Sequence, residues 1–190
     1  MKNQDFISFA ESIAHIALQN KTNSIEALEQ SSFDEKLSVA DKFMEQVGKI
    51  GEKIDIGYLE LVEGSRVASY IHPGNRLAVA LGFNKTVNEE VYKNIAMQAA
   101  AMAPVSIDKE DVDPTVINRE LDIARETTRA EGKPEDMVEK IAQGKLNKFY
   151  KESTLLNQEY FIDSKLTVRQ YLQSIDKELT VKSYKRCALA

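Results

Sequence analysis

Few side chains in this sequence are of the types that carry out chemistry, and they are widely spaced. The chain has two histidines, His15 and His72, and one cysteine, Cys187. His15 falls on the polar side of a predicted helix and His72 at a predicted turn, so the sequence does not bring two imidazoles together as metal ligands or as an acid–base pair. A lone cysteine excludes an internal disulfide framework and a cysteine-rich zinc site. We interpret His15 as a surface side chain and Cys187 as a small core residue.

The sequence motifs of common enzymes are also absent. The chain has no Gly-x-x-x-x-Gly-Lys-Ser/Thr phosphate loop, no Gly-x-Ser-x-Gly elbow and no His-Glu-x-x-His pair. The acidic pairs Glu89 with Glu90 and Asp111 with Asp113 are better explained as helix-start and loop charges, because carboxylates stabilise the positive end of a helix dipole. We therefore predict no catalytic residues, no metal and no cofactor.

The stretch 66–83 is typical of a β-hairpin, and it positions the more unusual of the two histidines. Pro73 and Gly74 supply the backbone angles of a tight turn between two apolar runs. In the second run, bulky and small residues alternate, which gives one face of Leu77, Val79, Leu81 and Phe83 and another of Ala78, Ala80 and Gly82. We expect the following helix, capped by Asn88 and ended by Pro104, to pack closely on the small face. His72, at the bend, is explained equally well as a contact residue and as a turn-stabilising one.

Two further helices are predicted between residues 114 and 150. Asp113 and Pro114 suit the start of the first helix, and Gly132 and Pro134 suit the end of the first and the start of the second. The apolar stripe fades towards the connection, which predicts a hairpin with a dry base and a polar tip that projects as an arm. Gly144 interrupts the second helix at a cost of about 1 kcal/mol relative to Ala, unless another backbone must approach there.

The remaining segments complete an α+β fold class. Residues 54–62 alternate with a phase slip near Gly57, which predicts a bulged strand that joins the hairpin in a three-stranded antiparallel meander. Phe161 and its neighbours are expected in a second core, Thr167 with Gln170 forms a capping-box signal, and residues 179–189 alternate as a closing strand. We predict two small subdomains, 1–104 and 105–190, each an antiparallel three-stranded sheet packed with helices, plus the helical-hairpin arm.

The composition limits the compartments and the classes of partner that suit this protein. The 190 residues are 43% hydrophobic and 29% charged, with a formal net charge of −5, which argues against disorder and against a nucleic-acid backbone as a global partner. No apolar run is long enough to span a bilayer, so we predict a cytoplasmic protein without membrane contact. Six basic residues could still form a local patch: Lys145, Lys148, Lys151, Lys182, Lys185 and Arg186. We interpret them as a solvated face.

Several segments, in order and in register, resemble translation elongation factor Ts. The segments are Tyr-Ile-His-Pro-Gly-Asn-Arg at 70–76, Asn-Ile-Ala-Met-Gln-Ala-Ala-Ala-Met-Ala-Pro at 94–104, Glu-Gly-Lys-Pro at 131–134 and Gly-Lys-Leu-Asn-Lys-Phe-Tyr at 144–150. Lys-Ile-Gly-Glu at 49–52 adds a further match. The resemblance runs from about Asp5 to the end of the sequence.

The resemblance implies a guanine nucleotide exchange factor that binds elongation factor Tu by protein contact, during protein synthesis, with no cofactor. It also implies that the 114–150 hairpin is the family's coiled-coil arm. His72 matches a partner-contacting histidine in a Tyr-x-His-Gly turn into which this chain inserts Pro73, and Ile50 matches another contact position. The predicted partner-binding residues are therefore Ile50, His72, Pro73, Gly74, Asn75 and Arg76.

One family motif falls outside this sequence. The Thr-Asp-Phe-Val motif, which reaches towards the nucleotide's magnesium site in that family, is expected just before Asn3. We therefore expect a core fragment, without the family's N-terminal module, that binds elongation factor Tu and accelerates GDP release weakly. A homodimer or a 2:2 complex with the partner stays open. Two other classes also stay open: an interaction module for a different protein, and a nucleic-acid binder whose affinity would fall steeply with salt.

Overall fold

The computed structural model describes residues 4–74 and 76–189. The helices are α1 Gln4–Gln19, α2 Ile25–Glu29, α3 Val39–Ile50, α4 Glu89–Met102, α5 Pro114–Ala130, α6 Glu135–Ser153 and α7 Val168–Ile175. The strands are β1 Arg66–Ile71, β2 Leu77–Phe83, β3 Glu159–Tyr160, β4 Asp163–Thr167 and β5 Val181–Ala188. Short 3-10 turns lie at Lys109–Asp111 and Leu155–Asn157. This arrangement confirms the α+β class.

The chain divides into two compact units, Met1–Leu61 and Val62–Ala190. In the first unit, α1 to α3 enclose a core of Phe9, Ile13, Ala17, Leu28 and Val39. α3 runs through Gly48 and ends at Ile50, because Gly51 provides the left-handed C-cap at φ 78°. The subdomain boundary expected at residue 104 stays a prediction.

The strand predicted over residues 54–62 is wrong. The segment is irregular, and no strand among the described residues pairs with it. A strand requires a neighbour to accept its backbone hydrogen bonds, and alternation alone cannot supply one. Ile56 and Leu59 nevertheless pack partly against the core of the first unit.

The second unit is built on a three-stranded antiparallel sheet in the order β1-β2-β5. The predicted β1–β2 hairpin is confirmed, with Arg66 opposite Phe83 and Ile71 opposite Ala78. The predicted meander is wrong, because the third strand comes from the far end of the chain. Strand β5 is the predicted closing strand, and it pairs along the whole of β2.

Helix α4 covers the bulky face of β2, and this corrects the expectation that it packs on the small face. Val79, Leu81 and Phe83 share one core with the buried α4 side chains Ile95 and Ala99, whereas Ala78 is exposed. Burial of the large side chains removes more apolar area from water than burial of alanines would. The predicted cap is confirmed, since Asn88 Oδ1 accepts the Glu90 amide at 3.0 Å.

The remaining sheet has two strands, β3 and β4, where three were expected. The Thr167–Gln170 capping box that starts α7 is confirmed. Two predicted core residues lie on the surface instead: Phe161 is 48% exposed, and Cys187 is exposed. Phe161 belongs to the short connection between β3 and β4, and Cys187 lies opposite the exposed Ala78 on the side of the sheet that α4 does not cover.

Helices α5 and α6 form the predicted antiparallel hairpin. Its interior holds the buried side chains Ala124, Thr128, Val138, Ala142 and Leu146. Two ion pairs join the helices outside this seam, Arg125–Glu139 at 2.9 Å and Arg129–Glu135 at 2.7 Å. Helix α6 begins one residue later than predicted, with Pro134 as its N-cap. No helix in the described part of the chain has the length and apolar character needed to cross a bilayer.

Candidate partner-binding site

The turn between β1 and β2 holds four of the predicted site residues in one place. His72, Pro73, Gly74 and Arg76 are all exposed. The His72 amide donates to the Leu77 carbonyl at 2.9 Å, which closes the turn. Gly74 adopts φ +97°, a conformation that favours glycine, as the turn chemistry predicted. Asn75 lies outside the described residues.

The second side of the turn is fixed by the last strand. The Leu189 amide donates to the Arg76 carbonyl at 2.8 Å, directly after the pair that Leu77 forms with Ala188. The turn is therefore tied to both neighbouring strands at its base while its tip stays open to solvent.

The imidazole of His72 rests against Tyr70. The Tyr70 hydroxyl lies 3.2 Å from His72 Nδ1, and the two ring centroids are 6.0 Å apart at an interplanar angle of 63°. Tyr70 in turn packs partly against the main core of the second unit. The imidazole is thus exposed and oriented at once, which suits a hydrogen bond to another protein.

Ile50 belongs to the other compact unit. It is the last residue of α3, directly before the Gly51 cap, and is 38% exposed. An aliphatic side chain on a well-capped helix end presents apolar area at little entropic cost. The structure therefore places Ile50 apart in sequence and in folding unit from the turn that holds the other four.

Three of the four acidic residues considered for catalysis have structural partners. Glu89 pairs with Arg66 at 2.8 Å, Asp111 accepts the Asp108 amide at 3.1 Å, and Asp113 caps α5 through the Thr115 amide at 2.7 Å. Within residues 4–74 and 76–189, no three histidine, cysteine or acidic side chains are grouped so that they could hold a metal. The exposed turn thus offers a contact surface.

Comparison with known proteins decides the family. The sequence matches the family model described as Elongation factor TS over residues 1–190. The chain belongs to the elongation factor Ts family. It is 47% identical over 190 residues to elongation factor Ts of Christiangramia forsetii, which covers 99% of this chain and 68% of that protein. It is 46% identical over 189 residues to the Flavobacterium psychrophilum protein, covering 98% and 68%, and 43% identical over 188 residues to that of Porphyromonas gingivalis, covering 99% and 69%.

Membership in the elongation factor Ts family confirms the resemblance found in the sequence motifs. It supports the role of a nucleotide exchange factor for elongation factor Tu in translation.

In this member of the elongation factor Ts family, the structure exposes one apolar connection that the sequence analysis did not predict to be exposed. The connection between β3 and β4 exposes Phe161 to 48% and Ile162 to 58%. The connection is anchored from behind, since the Phe161 amide donates to Gln98 Oε1 at 2.9 Å. A usable signal was present: Tyr160, Phe161 and Ile162 are consecutive apolar residues before an aspartate, and a two-stranded ribbon cannot bury all three on one face.

Proposed function

We propose that the β1–β2 turn is a docking contact through which this chain binds elongation factor Tu and promotes exchange of its bound GDP. The observation that carries the proposal is His72: its imidazole is exposed, yet the turn hydrogen bond and Tyr70 hold it in place. A pre-oriented side chain loses little conformational entropy when it binds, so more of the contact energy is retained.

Exchange follows from the thermodynamics of shared binding. A factor that binds the nucleotide-free GTPase more tightly than the nucleotide-bound form must weaken nucleotide binding by the same ratio. No covalent step is needed, so the protein acts as a binding partner and not as an enzyme. We place this activity in the cytoplasm, without membrane or direct nucleic-acid partners, because its partner there is a translation GTPase.

Two further apolar sites, one in each unit, are proposed as separate contacts with the partner. Ile50 in the first unit and the Phe161–Ile162 connection in the second each expose a large side chain from a well-anchored backbone. Interfaces draw most of their binding energy from a few such side chains. We expect Ile50→Ser to weaken binding, and Met44→Ser on the same helix, where Met44 is 67% exposed, to serve as its matched control.

Stopped-flow release of a fluorescent GDP from elongation factor Tu tests the proposal. We expect His72→Ala to slow the accelerated release by about tenfold, the effect of losing a single strong interface contact. His15→Ala is the matched control, because His15 is also exposed and its imidazole lies 3.2 Å from the Gln19 side chain of its own helix. Equal rates for the two variants would contradict the role of the turn.

Titration calorimetry separates binding from exchange. Heat of binding to elongation factor Tu with little acceleration would agree with the expected weak exchange, which stays a prediction, and acceleration equal to that of a full-length relative would contradict it. No binding at all would favour an interaction module for a different protein. Sedimentation of the free chain tests the predicted homodimer, and sedimentation of the mixture tests the 2:2 complex.

A further inference from the structure

The exposed side of α6 carries a row of lysines. Lys140, Lys148 and Lys151 are exposed, and helical periodicity places them on one side over a rise of about 16 Å. Lys145, which the sequence grouped with them, turns instead to α5 and pairs with Glu131 at 3.0 Å. We call Lys140, Lys148 and Lys151 the lysine row.

The lysine row ends at a cleft of about 590 Å³ beside the arm base. Lys148, Lys151 and Lys165 of β4 line this cleft together with Glu152 and Glu159, and its apolar wall includes Met102 and Leu166. Met102 is 51% exposed although it ends a helix whose other apolar side chains are mostly buried. The cleft thus combines a surplus of positive charge with apolar area open to solvent.

Most of this positive charge is not neutralised within the chain. Lys148 lies 3.6 Å from Glu152, the longest ion pair found among the described residues. Lys140, Lys151 and Lys165 form no ion pair with any described carboxylate. By contrast, Arg125, Arg129 and Lys145 each pair with a carboxylate on the other side of the arm.

Gly144 lies within the same side of α6, one turn before Lys148. A Cβ added at Gly144 would meet no atom within 4 Å, so the fold itself does not require glycine there. Glycine in a helix interior is nevertheless destabilising relative to alanine. A glycine that the fold does not need, in the middle of a row of unpaired lysines, is explained if another backbone approaches the helix at that point.

We infer that the lysine row and the cleft at its end bind an acidic, amphipathic helical segment of a partner protein. Its carboxylates pair with the lysines, its backbone approaches at Gly144, and an apolar side chain contacts Met102 and Leu166. A nucleic acid fits less well, because a phosphate backbone offers no apolar side chain to Met102 and Leu166 in the wall of the cleft, whereas an amphipathic helix does. The site is independent of the β1–β2 turn.

Fluorescence anisotropy with a labelled helical peptide tests this inference on the intact chain. The peptide carries glutamates on one side and leucines on the other; a second peptide has serine in place of leucine, and an oligouridylate of matched charge is the nucleic-acid probe. We expect saturable binding of the first peptide. The double variant Lys148→Glu, Lys151→Glu should weaken it by about tenfold or more, whereas Lys36→Glu, Lys93→Glu, with the same change in net charge at exposed positions elsewhere, should leave it unchanged.

The variant Gly144→Ala distinguishes loss of binding from loss of folding, because it should bind the peptide less well although it is more stable. The thermal midpoint of unfolding should rise by about 2–4 °C, because alanine favours the helix, while peptide affinity falls. The inference is overturned by any of four results: no saturable binding, equal binding of the serine peptide, tighter binding of the oligouridylate, or full affinity in the lysine or Gly144 variants.

Discussion

Gln98 Nε2 donates to Gln158 Oε1 at 3.2 Å, and both side chains are almost completely buried. Gln98 also donates to the Glu159 carbonyl and accepts the Phe161 amide, and Gln158 donates to the Glu152 carbonyl near the end of α6. One pair of amides thus fastens α4, the β3–β4 connection and the base of the arm. Each partner group is buried or part-buried, so the loss of either amide leaves polar groups without hydrogen bonds.

We therefore predict that Gln98→Leu lowers the free energy of unfolding by about 2–4 kcal/mol, because it conserves volume but leaves the Phe161 amide and Gln158 Oε1 without the hydrogen bonds that Gln98 supplies. Urea denaturation followed by circular dichroism measures the change. Gln143→Leu, the same substitution at an exposed site on α6, should alter stability by no more than about 0.5 kcal/mol. Equal effects of the two substitutions would mean that the buried amide pair contributes nothing specific.

The orientation of His72 by Tyr70 leads to a second prediction. Tyr70→Phe keeps the ring that packs against the core and removes only the hydroxyl that lies 3.2 Å from His72 Nδ1. We expect GDP release to slow by about twofold to tenfold, the effect of losing one hydrogen bond, with an unchanged urea midpoint. Tyr58→Phe, at a tyrosine that is 73% exposed in the first unit, is the control. A Tyr70→Phe variant with full exchange activity would show that the imidazole needs no such support.

The parts of the structure that the sequence predicted are those set by local chemistry. The Pro73–Gly74 turn, the Asn88 and Asp113 caps and the Thr167–Gln170 capping box each depend on a few neighbouring residues, and each is confirmed. The exposed position of His72 followed from the same turn. Short-range patterns are therefore enough to locate the candidate contact.

The parts that the sequence did not predict depend on distant pairings. The third strand of the main sheet is β5, whose Val181 lies opposite Phe83. No local pattern in either segment indicates that the two strands pair. Strands that are consecutive in the sequence are usually neighbours in a sheet, and this rule favours residues 54–62 as the third strand. The prediction that Cys187 lies in the core is wrong for a related reason, because alternation identifies the two faces of a strand and does not say which one is covered.

Ion pairing along α3 gives a prediction about pH. Lys42 and Lys49 contact the two oxygens of Glu45 at 2.6 and 2.9 Å, and their hydrogen bonds lower the pKa of Glu45 from 4.5 to about 2. A carboxyl with a lowered pKa stabilises the fold above its ordinary pKa, and this contribution is lost as the pH falls from 4.5 towards 2.

The thermal midpoint of Glu45→Gln should therefore lie below that of the unmodified chain at neutral pH and approach it as the pH is lowered to about 2. The difference should be small, because Glu45 is exposed and salt screens such pairs. Glu11→Gln, an exposed position on α1, controls for the loss of one negative charge. Parallel curves for the Glu45 variant and the unmodified chain across this pH range would contradict the assigned pKa.

The close approach at Gly82 gives the last prediction. The Ser183 hydroxyl donates to the Glu63 carbonyl at 2.6 Å, and this hydrogen bond crosses the bare Cα of Gly82 on the small face of β2. A Cβ at Gly82 would lie 2.0 Å from the Glu63 oxygen and 2.2 Å from Ser183 Oγ. Gly82→Ala should thus destabilise the second unit by about 3 kcal/mol or more, since one of the two contacts is with backbone that cannot turn aside.

Urea denaturation measures this cost, and Gly144→Ala in the same unit is the matched control, because its added methyl meets no atom and should stabilise the chain by up to about 1 kcal/mol. If Gly82→Ala yields no folded protein, the double variant Gly82→Ala, Ser183→Gly removes the hydroxyl contact and should recover part of the stability. A fully stable Gly82→Ala variant would show that the segment before β1 does not rest on the sheet as the structure describes.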